Sequence, residues 1–67
     1  MVLLPTPEYV IGDQVRVIPS ERHLTPHTGI IRAVIWHFKE GQYNYYLEEN
    51  GKKVSTRYTS ADLKRVK

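Results

Sequence analysis

Asn50-Gly51 is the dipeptide that most constrains this 67-residue chain. A two-residue type I′ turn needs φ > 0 at both central positions, and Asn-Gly meets that need at low steric cost. The turn would join two alternating runs, Tyr43 to Glu49 before it and Lys52 to Tyr58 after it. A tight turn fixes strand pairing by counting outward. Glu49 is expected opposite Lys52, Glu48 opposite Lys53, Leu47 opposite Val54 and Tyr46 opposite Ser55. Tyr45 then faces Thr56, Asn44 faces Arg57 and Tyr43 faces Tyr58. Successive side chains point to opposite faces. Tyr43, Tyr45, Leu47, Val54, Thr56 and Tyr58 form the expected core side, and Asn44, Tyr46, Glu48, Lys53, Ser55 and Arg57 the wet side. Glu48 and Glu49 each have a lysine opposite, which accounts for both as cross-strand pairs.

The rest of the chain supplies neighbours for that hairpin. Residues 1–8 contain Pro5 and Pro7 and lack periodicity, which predicts an extended arm; residues 9–67 form one domain. Gln14 to Ile18 alternates as a strand with Val15 and Val17 inward, and Pro19 ends it. Ser20 to Thr28 reads as a long surface loop. Gly29 opens a second strand running to Phe38, too dense in apolar residues for simple alternation. A bulge near Arg32-Ala33 would let this strand serve both faces. Thr59 to Leu63 predicts one helical or 3₁₀ turn capped by Thr59 or Ser60, and Lys64-Arg65-Val66 a last short strand. Five short strands with a 3₁₀ turn before the last describe an all-β, SH3-like (Tudor-like) barrel, which closes edges that so small a sheet could not otherwise cover. The expected core is Val15, Val17, Ile31, Val34, Tyr45, Leu47, Val54, Leu63 and Val66.

Composition narrows the function. A chain this short buries only about 60% of its unfolded surface, so the core is small. It has no cysteine, hence no disulfide or thiolate zinc site, which suits a reducing, cytoplasmic setting. Val2-Leu3-Leu4 is too short an apolar run for a signal peptide or a membrane span. The net charge of +3 is spread along the chain and fits nucleic acid, an acidic protein partner, or plain solubility.

Three segments carry a family resemblance. Gly12-Asp13-Gln14-Val15-Arg16-Val17, Gly29-Ile30-Ile31-Arg32-Ala33-Val34 and Ser60-Ala61-Asp62-Leu63-Lys64-Arg65-Val66 together resemble the small SH3-like accessory protein of photosystem I. They are similar also to the variable chain of ferredoxin–thioredoxin reductase. The resemblance implies a cofactor-free accessory subunit that docks on a larger complex. The segment from Trp36 to Lys53 has no counterpart in those families. The two Gly-bearing strands also resemble KOW or Tudor-like modules, which implies binding to nucleic acid or to ribosomal and transcription proteins. There the expected Gly- and Lys-rich loop is replaced by Ser20 to Thr28. Both resemblances speak to fold more than to function.

Direct chemistry is sparse. No nucleophile elbow, phosphate-cradling loop or cleft-forming carboxylate pair is present, so a non-enzyme without small-molecule substrate or cofactor is expected. His23 and His27 would need a helical turn to share a face, and Pro26 opposes one; His37 would have to come from another strand. No metal site is expected. The aromatic residues carry more. Tyr46 is expected outward between Arg57 and Lys53, and Trp36 near Arg32. Aromatic rings beside arginines are the composition of a binding hot spot for protein or for a stacked base. Equally, Trp36 and Phe38 could simply cover an open end of the barrel. The expected binding residues are Trp36, Tyr46, Arg57, Arg32, Lys53, Arg22 and His23, on a protein-docking module or, alternatively, a nucleic-acid-binding barrel.

Overall fold

The computed structural model describes residues 3–66. The expected arm at Met1 and Val2, and the domain's end at Lys67, lie outside the described residues. In chain order come β1 (Gln14–Val17), β2 (Thr28–His37), β3 (Gln42–Glu49), β4 (Lys52–Lys53), a 3₁₀ turn (Ser60–Asp62) and β5 (Leu63–Arg65). All strands pair antiparallel in one sheet of order β4-β3-β2-β1-β5, with β4 and β5 as its outermost strands.

The Asn-Gly turn forms as its chemistry requires, with φ of 53° at Asn50 and 76° at Gly51. Glu49 pairs with Lys52 and Glu48 with Lys53. The Val54 N–H then donates to the Leu47 carbonyl at 2.9 Å. Beyond Val54 the expected register fails. Tyr45 faces Tyr58 instead of Thr56, through reciprocal hydrogen bonds of 2.7 and 3.0 Å. Ser55, Thr56 and Arg57 are exposed and have little to bury, so the chain bows away until the Tyr58 ring returns to the core. Thr56 is therefore not a core-side residue. Asn44, expected wet, is 3% exposed opposite Ile35.

The β2 bulge is where the sequence placed it. Ile31 faces Leu47 and Ala33 faces Tyr46, which leaves Arg32 as the extra residue. That insertion changes the phase of the strand, so Ile31, Val34 and Trp36 share the core side with Leu47, Tyr45 and Tyr43. The core joins Tyr9, Val15, Val17, Ile31, Tyr45, Leu47, Tyr58 and Leu63, with Val34, Tyr43 and Val54 packed at its margin. Val66, expected in the core, is only half-buried at the chain's end and lies outside this cluster. Gly29 sits where β2 comes closest to β3: a Cβ there would stand 2.4 Å from the Glu48 carbonyl oxygen.

Tyr9 fills a core position that no periodic pattern marked. Its hydroxyl donates to the Leu63 carbonyl at 3.2 Å, and its ring meets Tyr45 edge-on at 5.5 Å. The described part of the arm is tied to the sheet by two tyrosines. The Tyr43 hydroxyl donates to the Pro5 carbonyl at 2.6 Å, and the Glu8 N–H donates to the Tyr45 hydroxyl at 3.0 Å. The 3₁₀ turn is held by Asp62, whose carboxylate accepts from the Thr59 N–H at 2.9 Å and the Thr59 hydroxyl at 3.1 Å. The Asp62 carbonyl accepts in turn from the Ile18 N–H at 2.8 Å, fastening the turn to the end of β1.

Candidate docking surface

Strand alternation and the bulge together decide what the outer face of the sheet displays. Ile30, Arg32, Ala33 and Ile35 of β2 point away from the core, beside Tyr46 and Glu48 of β3 and Lys53 of β4. Arg32, Ala33, Ile35, Tyr46 and Lys53 line a shallow hollow of about 320 Å³. Its floor is apolar and its rim carries two cations. Ile35 is 52% exposed and Ile30 47%, so this face holds large aliphatic residues that the core does not cover.

The carboxylates near the turn choose partners other than the lysines opposite them. Glu48 pairs with Arg32 at 3.2 Å, and Glu49 with the His27 ring at 2.7 Å. Glu49 also accepts from the Thr28 N–H at 3.1 Å. The His27 hydrogen bond, then the Thr28 N–H, hold the Glu49 carboxyl below the usual carboxylate range, against a small opposing effect of burial. Both glutamates thus reach back over β2 rather than across to β4. Lys52 and Lys53 have no ion-pair partner among the described residues.

Two further hollows continue from the first. One of about 440 Å³ is lined by His27, Lys52, Lys53 and Thr56, among others. The next, of about 250 Å³, shares His27 and Thr56 with it and adds Arg22, His23 and Tyr58. Here the His23 ring lies 4.8 Å from that of Tyr58, its side chain 10% exposed. Its Nε2 is 3.4 Å from an Asp62 oxygen but has no hydrogen-bond partner among the described residues. Burial raises the Asp62 carboxyl, yet the Thr59 N–H, the Thr59 hydroxyl and His23 outweigh it, and the group ends below its ordinary value.

Five of the expected binding residues, Arg22, His23, Arg32, Tyr46 and Lys53, therefore lie along one run of adjoining hollows. Trp36 does not join them. It stands on the opposite face, packed against Tyr43 at 4.9 Å and Phe38 at 6.5 Å. Arg57 is exposed just before Tyr58 and lines none of these hollows. Ile30 and Ile35 were missed by sequence reasoning, although alternation with Ile31 turns Ile30 outward and the phase change at the bulge does the same for Ile35. No group of three His, Cys, Asp or Glu among the described residues is placed to hold a metal ion.

A small all-β domain with a mixed apolar and cationic outer face is the class this geometry defines. The chain belongs to a family of unknown function (DUF6960), whose model matches residues 1–64. No curated protein and no solved structure matches it. No helix among the described residues is long and apolar enough to cross a membrane.

Proposed function

We propose that this chain is a non-catalytic docking module with an SH3-like barrel design, serving as an accessory subunit of a larger complex. Its partner is a protein segment carrying an apolar side chain next to carboxylates. The observation that carries the reading is the hollow of Ala33, Ile35 and Tyr46 rimmed by Arg32 and Lys53. Burying an apolar side chain there removes exposed Ile35 surface from water, while carboxylates meet cations that the protein leaves only partly paired. The SH3-like design is supported by the segment from Tyr58 to Asp62, which bonds to β3 at Tyr45 and to the end of β1 at Ile18. The absence of cysteine supports a reducing, cytoplasmic setting.

Nucleic acid is the weaker reading for a geometric reason. Single strands are held by cations and stacked rings working together. Here Trp36 and Tyr43 stand on the opposite face of the sheet from Arg32 and Lys53, which leaves Tyr46 as the one ring lining the hollow beside those cations. Fluorescence anisotropy with synthetic peptides of alternating Leu and Asp, their Leu and Lys counterparts, single-stranded RNA and duplex DNA separates the two. Binding is expected for the acidic peptide alone, weakened about tenfold by Tyr46→Ala, a loss typical of a hot-spot residue. RNA or DNA binding that falls steeply with salt would instead establish phosphate contacts and overturn the docking reading.

A further inference from the structure

β2 is ten residues long, but β1 covers it only from Thr28 to Ile30, with Ile31 held by Asp13 and Gly12 beyond. From Arg32 to His37 the far edge of β2 has no backbone partner among the described residues. Which groups point there follows from the ladder. Tyr45 spends its N–H and C=O on Tyr58, away from β2, so Val34 opposite it also turns its own groups away from β3. Ile31 obeys the same rule, donating to the Asp13 carbonyl and accepting from the Gly12 N–H, each at 2.9 Å. Trp36, two residues past Val34, repeats the orientation. The N–H and C=O of Val34 and Trp36 thus form a short open ladder.

Native edges are usually blunted by Pro, Lys or a bulge. Here the one bulge sits at Arg32, before the open stretch, and Ala33-Val34-Ile35-Trp36-His37 contains neither Pro nor Lys. We propose that this edge pairs with the same edge of a second copy, antiparallel, about a two-fold axis through Ile35. Val34 of each copy then faces Trp36 of the other, and all four open backbone groups on each chain are satisfied. The two Ile35 side chains, each 52% exposed on its own, become a directly opposed pair on the outer face. Ala33 of each copy comes opposite His37 of the other on the same outer face, so no like charges are directly opposed. The edge is complementary to itself, as a two-fold interface requires. This pairing shares Ile35 with the docking hollow but not Tyr46 and Lys53, which lie toward β4, on the other side of β2.

Sedimentation velocity over a concentration series, with amide hydrogen exchange on the same samples, tests the pairing. A species of twice the 7.8 kDa chain mass is expected, with Val34 and Trp36 amides protected in step with its population. Ile35→Lys places like charges across the axis and is expected to give single chains whose Val34 and Trp36 amides exchange at least about tenfold faster. Tyr46→Ala is expected to leave the mass unchanged, which keeps this test separate from the peptide titration. Wild-type protein that stays a single chain at every concentration overturns the proposal, as does a dimer in which these two amides remain unprotected. Protection that appears only on adding cell extract would assign the edge to another protein's strand and also overturn self-pairing.

Discussion

Gly29→Ala is expected to be among the most damaging single-methyl changes in the molecule. The added Cβ would stand 2.4 Å from the Glu48 carbonyl oxygen and 3.1 Å from its carbon. Those are backbone atoms of a paired strand, so no rotamer change relieves the clash, and β2 must move off β3. Overpacking of this kind typically costs about 1–3 kcal/mol. The smaller unfolded-state entropy of alanine returns about 0.4–1 kcal/mol. A net loss of roughly 1.3 kcal/mol is a substantial share of the roughly 3–10 kcal/mol available to a domain this size. It corresponds to a fall of about 5–10 °C in Tm. Gly41→Ala is the matched control: its Cβ meets nothing within 4 Å, and only its φ of +64° opposes the change. That left-handed position costs an alanine about 1–2 kcal/mol before the same unfolded-state return, a smaller net loss. Thermal melts followed by far-UV circular dichroism compare the two. If Gly29→Ala melts at or above Gly41→Ala, the close approach of β2 and β3 at Glu48 is wrong.

Gly51→Val should lose about 1–3 kcal/mol purely through φ strain, since space around its Cβ is open. Lys52→Ala should stay within about 0.5 kcal/mol, and equal urea midpoints for the two would show that the turn is not tight. Acid should destabilise the fold through Asp62 and Glu49, both held below their ordinary values. Depressed carboxylates contribute full stability above their unfolded pKa and lose it as pH falls through the lower folded one, so urea midpoints should drop below about pH 4. Asp62→Asn should flatten part of that decline, and an unchanged acid limb in this variant would remove Asp62 from the explanation.

Legibility in the sequence followed how local each determinant was. Asn50-Gly51 announced its turn because positive φ is a single-residue requirement, and the crowding from Ile30 to Phe38 announced a bulge because no strict alternation could bury it. The pairing of Tyr45 with Tyr58 was hidden, since a turn pins only its nearest pairs and the polar run Ser55-Thr56-Arg57 could leave the sheet unopposed. Glu48 and Glu49 were misassigned for a related reason: register names the residue opposite, while a long side chain can equally reach the neighbouring strand. Tyr9 was invisible because an isolated aromatic between prolines and a glycine has no period. Arg32, Tyr46 and Lys53 were readable as a cluster, but the aliphatic floor between them depended on the phase of β2.

That bulge makes the chain's tolerance of length changes depend sharply on position. Arg32 is the residue by which β2 exceeds β3 between the Ile31–Leu47 and Ala33–Tyr46 pairs. Removing it would join those pairs in one regular ladder, with Val34 and Trp36 still on the core side and Ile35 still outside, at the loss only of the local bend. Removing Val34 or Ile35 instead would carry Trp36 to the solvent side and exchange the two surfaces of the rest of the strand. Within this family, the length of β2 between Ile31 and His37 should therefore vary at Arg32 and not beyond it.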